Sequence, residues 1–416
     1  MPTAAKAAPS AAEQAATKVA REAYGRILAY LAYKFRDIAA AEDALAEAFA
    51  SALKAWPTTG VPDAPEAWLM MAAKRNLLQM HRHAAVENDP AATVMLADEN
   101  TPAPELPALP DQRLKLLFAC AHPATDASVR TALMLQTVLG IEADKIAAAF
   151  VVSPSAMAQR LVRAKTKIRL AGIHLEEPEA RDLPERIHNV LEAIYAAYGL
   201  AWDDAVNSDF ADEAIYLADL VASLLSEQAE PAGLLALMLF CQARKAARST
   251  ADQPFVPLHQ QDTALWDKPR IDQANQILWH AARQRQPGPF QLEAAIQSAH
   301  CQRLYTQIVP WQGIAQLYAQ LVHIAPTLGA HVGHAVATGE AHGAAQGLAL
   351  LSALEATYDA SALAPYQPLA VARAYLLQKH GNRAAALQSY THALTLTPHA
   401  AQRQYLQKQL ELLQIQ

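Results

Sequence analysis

The chain has 416 residues, of which 52% are hydrophobic and only 6% aromatic, and its formal net charge is -6. At roughly 150 residues per domain, this length predicts about three domains. The abundance of alanine favours helix packing over sheets, so the expected fold class is all-α. The N-terminus lacks the apolar stretch of a signal peptide, and no hydrophobic run approaches the ~18 residues of a membrane span. We therefore expect a cytoplasmic protein with no membrane partner.

Three helices are predicted within residues 10–85. Ser10 is a candidate N-cap for the first helix, which is expected to end at Phe35, and Asp37 is a candidate N-cap for the second. The proline and glycine residues of 57–65 predict a loop, and a third helix is expected at 66–83. The apolar face expected on the first helix consists of Tyr24, Ile27, Leu28 and Leu31, and that of the second of Leu45, Phe49, Leu53 and Trp56.

Charged residues mark the second and third of these helices. The second carries Glu42, Asp43 and Glu47 away from its apolar side. Such an acidic face is most often an ordinary solvated surface, so the residues alone leave open whether it binds a partner. The third helix carries a basic set that consists of Lys74, Arg75, His81, Arg82 and His83.

An acidic, proline-rich stretch at 86–110 has no helical period and predicts a linker between two domains. It is followed by a predicted four-helix module at 111–175, broken near Pro123, Gly140 and Ser153. Its expected core consists of Leu114, Leu117, Phe118, Leu133, Leu135 and Val138.

The last helix of this module has the most distinctive pattern in the chain. Ser153 is a natural N-cap, Pro154 suits the first helical position, and Gly172 predicts the end of the helix. Its buried stripe is expected to be Met157, Leu161, Ala164 and Ile168. Its outer surface carries Ser155, Gln159, Arg160, Arg163, Lys165, Lys167 and Arg169, and residues 153–173 contain no acidic residue. With the short helix expected at 141–150, this pattern predicts a helix-turn-helix that binds a polyanion, although a solvated basic helix would show a similar pattern.

Residues 183–416 predict helix after helix, with a tetratricopeptide-like repeat near 366–400. Ala374, Gly381, Ala386, Tyr390, Ala393, Leu394 and Pro398 fall at the small and large positions of such a repeat. We expect this extension to stack into a surface that docks a protein partner.

Catalytic and metal-binding patterns are missing from the sequence. There is no glycine-rich phosphate loop, nucleophile elbow or HExxH pattern, so we expect neither an enzyme nor a cofactor. The three cysteines, Cys120, Cys241 and Cys301, are expected to be reduced core residues. His331, His334 and His342 lack a cysteine or paired carboxylate that would complete a metal site, so we predict no metal.

The segment LLFACAHPATD at 116–126 and the helix pair that follows resemble the promoter-binding C-terminal module of extracytoplasmic-function sigma factors. Segments of the extension, such as GLLALMLFCQARKAAR, resemble the subgroup of these factors that carries a long helical C-terminal extension. The chain departs from that subgroup in two places. It reads LLQMHRH after Asn76, where relatives have an acidic residue and an arginine cluster, and YAAYGLAW where relatives tend to have an Asn-Glu-Gly-Tyr segment.

The resemblance implies two binding partners, core RNA polymerase and promoter DNA. The polymerase-binding residues that it implies, in the second helix, are Glu42, Asp43, Glu47, Leu45 and Phe49. The implied DNA-binding residues are Lys74, Arg75, Asn76 and Arg82 for the minus-10 element, and Ser155, Gln159, Arg160, Arg163, Lys165 and Lys167 for the minus-35 element. It also implies that the acidic linker threads the channels of the polymerase, whereas its composition alone is equally that of a passive tether.

Two other function classes stay open at this point. A transcription regulator could bind DNA without polymerase, although it is expected to join a dimerisation helix to one reading module. A tetratricopeptide scaffold could retain decayed N-terminal modules, which the missing arginine cluster after Asn76 permits. The extension could either mask the reading helix or support the sigma modules, and the resemblance favours support.

Overall fold

The computed structural model describes residues 10–88, 112–150, 152–173, 175–176, 178–200, 208–249, 254–397 and 399–415. Within these residues the regular structure is helical and there is no β-strand, which confirms the all-α prediction. The chain divides into two compact units, Met1–Leu217 and Ala218–Gln416. Most of the predicted linker, residues 89–110, and Pro398 of the predicted repeat lie outside the described residues.

The helices of the first unit are α1 (Ala11–Phe35), α2 (Ile38–Thr59), α3 (Pro65–Asn88), α4 (Arg113–Cys120), α5 (Ala127–Leu139), α6 (Ala143–Ala149), α7 (Pro154–Leu170), α8 (Leu183–Leu200) and α9 (Ser208–Leu224), the last of which continues past the unit boundary. Both predicted caps are confirmed. Ser10 forms a capping box with Glu13 at the start of α1, and the Asp37 side chain accepts from two backbone N–H groups of α2.

Helices α1, α2 and α3 pack together around apolar side chains. Ile27 and Leu31 of α1 are fully buried. Arg26 donates to both carboxylate oxygens of Glu66 at 2.6 Å, which ties α1 to α3. Trp56 and Trp68 meet edge to face with ring centroids 5.6 Å apart, which ties α2 to α3.

The buried face of α2 differs from the predicted one. Leu45 and Trp56 are buried as expected, but Leu53 is 45% exposed and Phe49 is only partly buried. The rest of the buried face consists of Ile38, Ala41, Ala44, Ala48 and Ala52. These alanines let α1 and α3 approach α2 closely, so small residues rather than the large ones define the core side.

Helices α4–α7 follow the linker in the chain, and most of the side chains predicted for their core are buried. Leu117, Phe118, Leu133, Leu135 and Val138 are buried, whereas Leu114 is partly buried. The Cys120 thiol is buried beside Thr137, and burial raises its pKa to about 12, as expected for an unreactive core cysteine. Cys241 and Cys301 are also free and buried, which confirms the prediction for all three.

The second unit continues with α10 (Ala229–Ala243), α11 (Lys268–Arg283), α12 (Pro289–Cys301), α13 (Arg303–Thr306), α14 (Trp311–Ile324), α15 (Leu328–His342), α16 (Ala344–Thr357), α17 (Ala360–Leu363), α18 (Gln367–Lys379), α19 (Arg383–Leu396) and α20 (Ala400–Ile415). Successive helices pack on one another. Gly347 of α16 lies so close to α15 that a Cβ atom there would meet the Ala335 carbonyl oxygen at 2.6 Å.

A carboxylate joins two helices of this unit. Glu230, in the first turn of α10, accepts from the backbone N–H groups of Phe290 and Gln291 at 3.0 Å, and so caps α12. Gly288 precedes this helix, and a Cβ atom there would lie 2.1 Å from the Glu230 side chain. The glycine therefore makes room for the capping carboxylate.

Candidate functional site

Helix α7 has the local structure that its sequence predicts. The Ser153 hydroxyl accepts from the Ala156 N–H at 3.3 Å, and Pro154 occupies the first helical position. Gly172 has φ +64°, and the Ile173 N–H reaches the Ile168 carbonyl oxygen at 3.0 Å, which closes the helix in a Schellman motif. The predicted stripe of Met157, Leu161, Ala164 and Ile168 is buried.

The outer surface of α7 divides into an open part and an occupied part. The open part consists of Ser155, Gln159, Arg160, Arg163 and Lys167, which are all exposed. Arg163 donates to the Gln159 carbonyl oxygen of its own helix at 3.3 Å. Five of the six residues expected at the minus-35 element are therefore accessible to a ligand.

Lys165, the sixth, is paired with α2. Its ammonium group bonds the Glu42 carboxylate and donates to Gln136 Oε1 at 3.2 Å. The side chains of Lys165 and Glu42 are only 9% and 13% exposed. One turn further along α7, Arg169 Nη1 donates to Asp37 Oδ2 at 3.1 Å, with 54% of the arginine side chain exposed. The two surfaces that the sequence assigns to DNA and to polymerase thus contact each other in this structure.

Burial dominates the electrostatics of Glu42. It raises the pKa of the carboxyl group, and the neighbouring Lys165 opposes this effect. The second oxygen of the carboxylate, Oε1, is buried and has no hydrogen-bond partner among the described residues. Burial also raises the pKa of the Tyr24 phenol, and the charge of the neighbouring Glu42 raises it further.

The other expected polymerase-binding residues of α2 differ in their exposure to solvent. Asp43 and Glu47 are exposed, Phe49 is partly buried, and Leu45 is fully buried. Leu45 therefore belongs to the core of the helices rather than to their surface. In this conformation Asp43 and Glu47 form the accessible part of the acidic face.

The expected minus-10 residues lie on α3. Arg75 and Arg82 are exposed and Lys74 is partly buried. The Asn76 amide donates to the Ala44 carbonyl oxygen at 3.1 Å, which holds α3 against α2. Sequence reasoning missed this positioning contact and also the pairing of Lys165 with Glu42, because no local pattern indicates which distant residues meet.

Metal-binding clusters and membrane spans are not found in the described part of the chain. No three His, Cys, Asp or Glu side chains among these residues are grouped so that they could hold a metal ion. No helix within the same ranges is long and apolar enough to cross a membrane.

Comparison with known proteins identifies a known domain family in the first three helices. The model of sigma-70 region 2 matches residues 20–86, which cover most of α1 through α3. A family of unknown function, DUF6596, matches residues 186–282. The uncharacterized protein R00370 of Rhizobium meliloti (strain 1021) is 33% identical over 401 residues, which is 94% of this chain and 93% of that protein.

The chain belongs to the family of this rhizobial protein. Its N-terminal helices form a sigma-70 region 2 domain, and this domain supports a sigma factor role in transcription initiation and implies binding to core RNA polymerase. No solved structure matches the chain. The residues that contact polymerase and DNA stay predictions.

Proposed function

We propose that the protein is an alternative sigma factor of the extracytoplasmic-function type, which binds core RNA polymerase and directs it to specific promoters. The observation that carries this proposal is the sigma-70 region 2 match over α1–α3. It is supported by the exposed basic surface of α7, which is the kind of surface that binds a DNA backbone.

In this proposal α6 and α7 act as a helix-turn-helix that reads the minus-35 element. Gln159 and Arg160 are exposed on a helix that carries no acidic residue, so they are available for base edges in a major groove. Lys167 supplies phosphate contacts. On α3, Lys74, Arg75 and Arg82 contact the minus-10 region, and Asn76 keeps α3 in place on α2.

We assign polymerase binding to the two exposed acidic residues of α2. Asp43 and Glu47 are exposed on one helix, so their charges can meet a basic surface of the polymerase. We expect the Asp43→Lys, Glu47→Lys double variant to bind core polymerase more weakly, by a few kcal/mol at most, because rim charges mainly steer association. Copurification of the full chain with core polymerase measures this.

A matched control reverses two exposed acids elsewhere in the first unit. Glu179 and Asp182 have side chains that are 72% and 57% exposed. The Glu179→Lys, Asp182→Lys variant makes the same change in net charge and should bind polymerase like the parent. Equal binding by the parent and both double variants would remove α2 from the polymerase interface.

For the second unit we propose a regulatory rather than catalytic role, with a tetratricopeptide-like helix pair at α18 and α19 that docks a protein partner. Ala374 and Ala386 are fully buried between these helices, and Gly381 at the turn has φ +83°. These are the small-residue contacts that let one helix pack closely on the next in such repeats.

Supporting and masking roles of the extension predict opposite results. Gly347→Val should disturb the packing of α16 on α15, whereas a Cβ atom at Gly313 would meet nothing within 4 Å, so Gly313→Val is the matched control. A supporting extension predicts loss of promoter-specific transcription in the Gly347 variant alone. Higher DNA affinity in that variant with full transcription would instead indicate masking.

A further inference from the structure

The second unit contains a pocket that the proposed function does not use. Its volume is about 400 Å³, and all of the residues that line it belong to this unit. They come from α15, α18, α19 and α20, from the first residue of α14, and from residues 255–259 between α10 and α11, which we call the crossing segment. Five aromatic side chains contribute to the lining: Phe255, Trp311, Tyr375, Tyr390 and Tyr405.

The crossing segment forms one wall of the pocket and contacts two of its helices. The Phe255 ring meets the Tyr405 ring of α20 edge to face, with centroids 5.5 Å apart, and the His259 ring lies 6.0 Å from the Tyr375 ring of α18. Arg303 Nη1 donates to the His259 carbonyl oxygen at 2.7 Å and so holds the segment in place. Because the crossing segment occupies part of the surface of α18 and α20, the remaining space suits a compact molecule rather than an extended peptide.

The pocket carries no formal charge. None of the described residues that line it is an aspartate, glutamate, lysine or arginine. Partial burial lowers the pKa of the His259 imidazole; Glu340 opposes this effect, and Arg303 and Lys379 add to it, so the ring is neutral at neutral pH. An ionic ligand would lose its hydration here without gaining a counter-charge, which is costly. The lining therefore favours an uncharged ligand.

Much of the polar capacity of the lining is already used within the protein. The Tyr375 hydroxyl donates to Glu340 Oε1 at 2.5 Å, and the Tyr390 hydroxyl donates to Gln378 Oε1 at 3.0 Å. These tyrosines therefore offer a ligand mainly their rings. The side-chain amide of Gln402, on α20, forms no hydrogen bond among the described residues, so it is available to orient a polar group of a ligand.

We propose that this pocket binds an uncharged small organic molecule that has a planar ring system and few polar groups. Pockets for such molecules typically have volumes of about 300–1,000 Å³ and are lined by apolar and aromatic side chains with a few polar groups. The aromatic side chains offer edge-to-face and offset contacts to a flat ring. The ligand would join α15, α18, α20 and the crossing segment, and so would stabilise the second unit. The proposal does not depend on the sigma factor function.

The test uses two fluorescent probes and the full chain without polymerase or DNA. N-phenylnaphthylamine is neutral, and anilinonaphthalenesulfonate has the same rings with an added sulfonate. We expect the neutral probe to bind saturably at one site, and the sulfonate to bind at least about tenfold more weakly because its charge finds no partner. The neutral probe should also slow hydrogen exchange of the amides of α15, α18 and α20 in the parent chain.

Two variants narrow the pocket from different helices. Val371→Trp on α18 and Val336→Phe on α15 enlarge partly buried side chains of the lining. Each should weaken binding of the neutral probe about tenfold or more, because the added ring takes up the space of the ligand. Ile324→Trp is the matched control, since Ile324 is also a helical β-branched residue but is 45% exposed and does not line the pocket. It should bind the probe like the parent.

Three outcomes would overturn the proposal. A folded parent chain that does not bind the neutral probe saturably has no such site. Unchanged binding in both folded pocket variants, or slowed exchange only outside α15, α18 and α20, would place the probe elsewhere. Equal or tighter binding of the sulfonate would contradict an uncharged ligand. If a variant does not fold by circular dichroism, the exchange pattern of the parent decides the location. Polymerase binding is measured separately, so failure of this site leaves the sigma factor function intact.

Discussion

Replacing the buried pair of Glu42 and Lys165 by apolar residues should reveal strong coupling between α2 and α7. The single change Lys165→Met leaves the Glu42 carboxylate buried without its cation, and removing one member of a buried pair typically costs about 3–5 kcal/mol. The loss cannot exceed the free energy that holds α2 and α7 together, because separation returns Glu42 to water. We therefore expect a loss at the lower end of this range, about 3 kcal/mol, for Lys165→Met.

The double change Lys165→Met with Glu42→Leu removes both charges and fills the same space with apolar atoms. Such replacements of a buried pair are often neutral or stabilising by about 1–4 kcal/mol. The double variant should therefore be at least as stable as the parent, although each single change destabilises. Arg169→Met is the control within the same interface, since its side chain is 54% exposed and an exposed pair contributes at most about 1 kcal/mol.

Native-state hydrogen exchange of the full chain is the suitable assay, because it gives local opening free energies for α2 and α7 without requiring the two units to unfold together. The four combinations form a double-mutant cycle. If the two single effects add to the double effect within about 0.5 kcal/mol, the side chains are not coupled, and the reasoning from their burial is refuted.

Three further predictions concern single side chains. Ser153→Ala should lower the stability of α7 by about 1 kcal/mol, seen as faster exchange in its first turn, because the hydroxyl caps the helix; unchanged exchange would show that the hydroxyl does not stabilise the helix. Arg160→Ala should relax sequence preference by about 1–3 kcal/mol at one base pair, whereas Lys167→Ala should weaken specific and random DNA alike; equal effects of both changes in a binding assay would contradict this division. Glu230→Ala should destabilise the second unit by about 2–3 kcal/mol in urea unfolding, since α12 loses a charged cap, and Glu230→Gln should lose less; an unchanged midpoint for both would argue against the cap.

Much of α7 could be predicted because its signals are local. A serine before a proline defines the start, a glycine defines the end, and four apolar residues at helical spacing define the buried side. Each of these signals acts within one or two turns, so no knowledge of the rest of the fold is needed. The capping residues of α1 and α2 were predicted for the same reason.

The prediction of the buried face of α2 was wrong in part, because it gave the most weight to large apolar residues. Leu53 is 45% exposed, whereas Ala44, Ala48 and Ala52 are fully or almost fully buried. In a chain rich in alanine, the side of closest helix approach is set by small residues, and their hydrophobic signal is weak. Helix packing distance, rather than hydrophobicity alone, decides which side of such a helix is buried.

The composition of the candidate surfaces could be predicted, but their arrangement could not. Lys165 and Glu42 are 123 residues apart in the chain, and nothing in either helix indicates that they meet. The contact of Gly25 with the Val138 carbonyl is equally remote, and a glycine inside a helix does not indicate which distant segment packs against it. Long-range pairing depends on the packing of whole modules, which a local pattern does not contain.

The most direct test of the proposed sigma factor function is transcription in vitro with purified core polymerase, the full chain and fragments of the source genome. We expect transcripts that begin at a small, reproducible set of sites, that require the chain, and that are reduced by Arg160→Ala. A folded chain that adds no start sites to those of core polymerase alone would contradict the function.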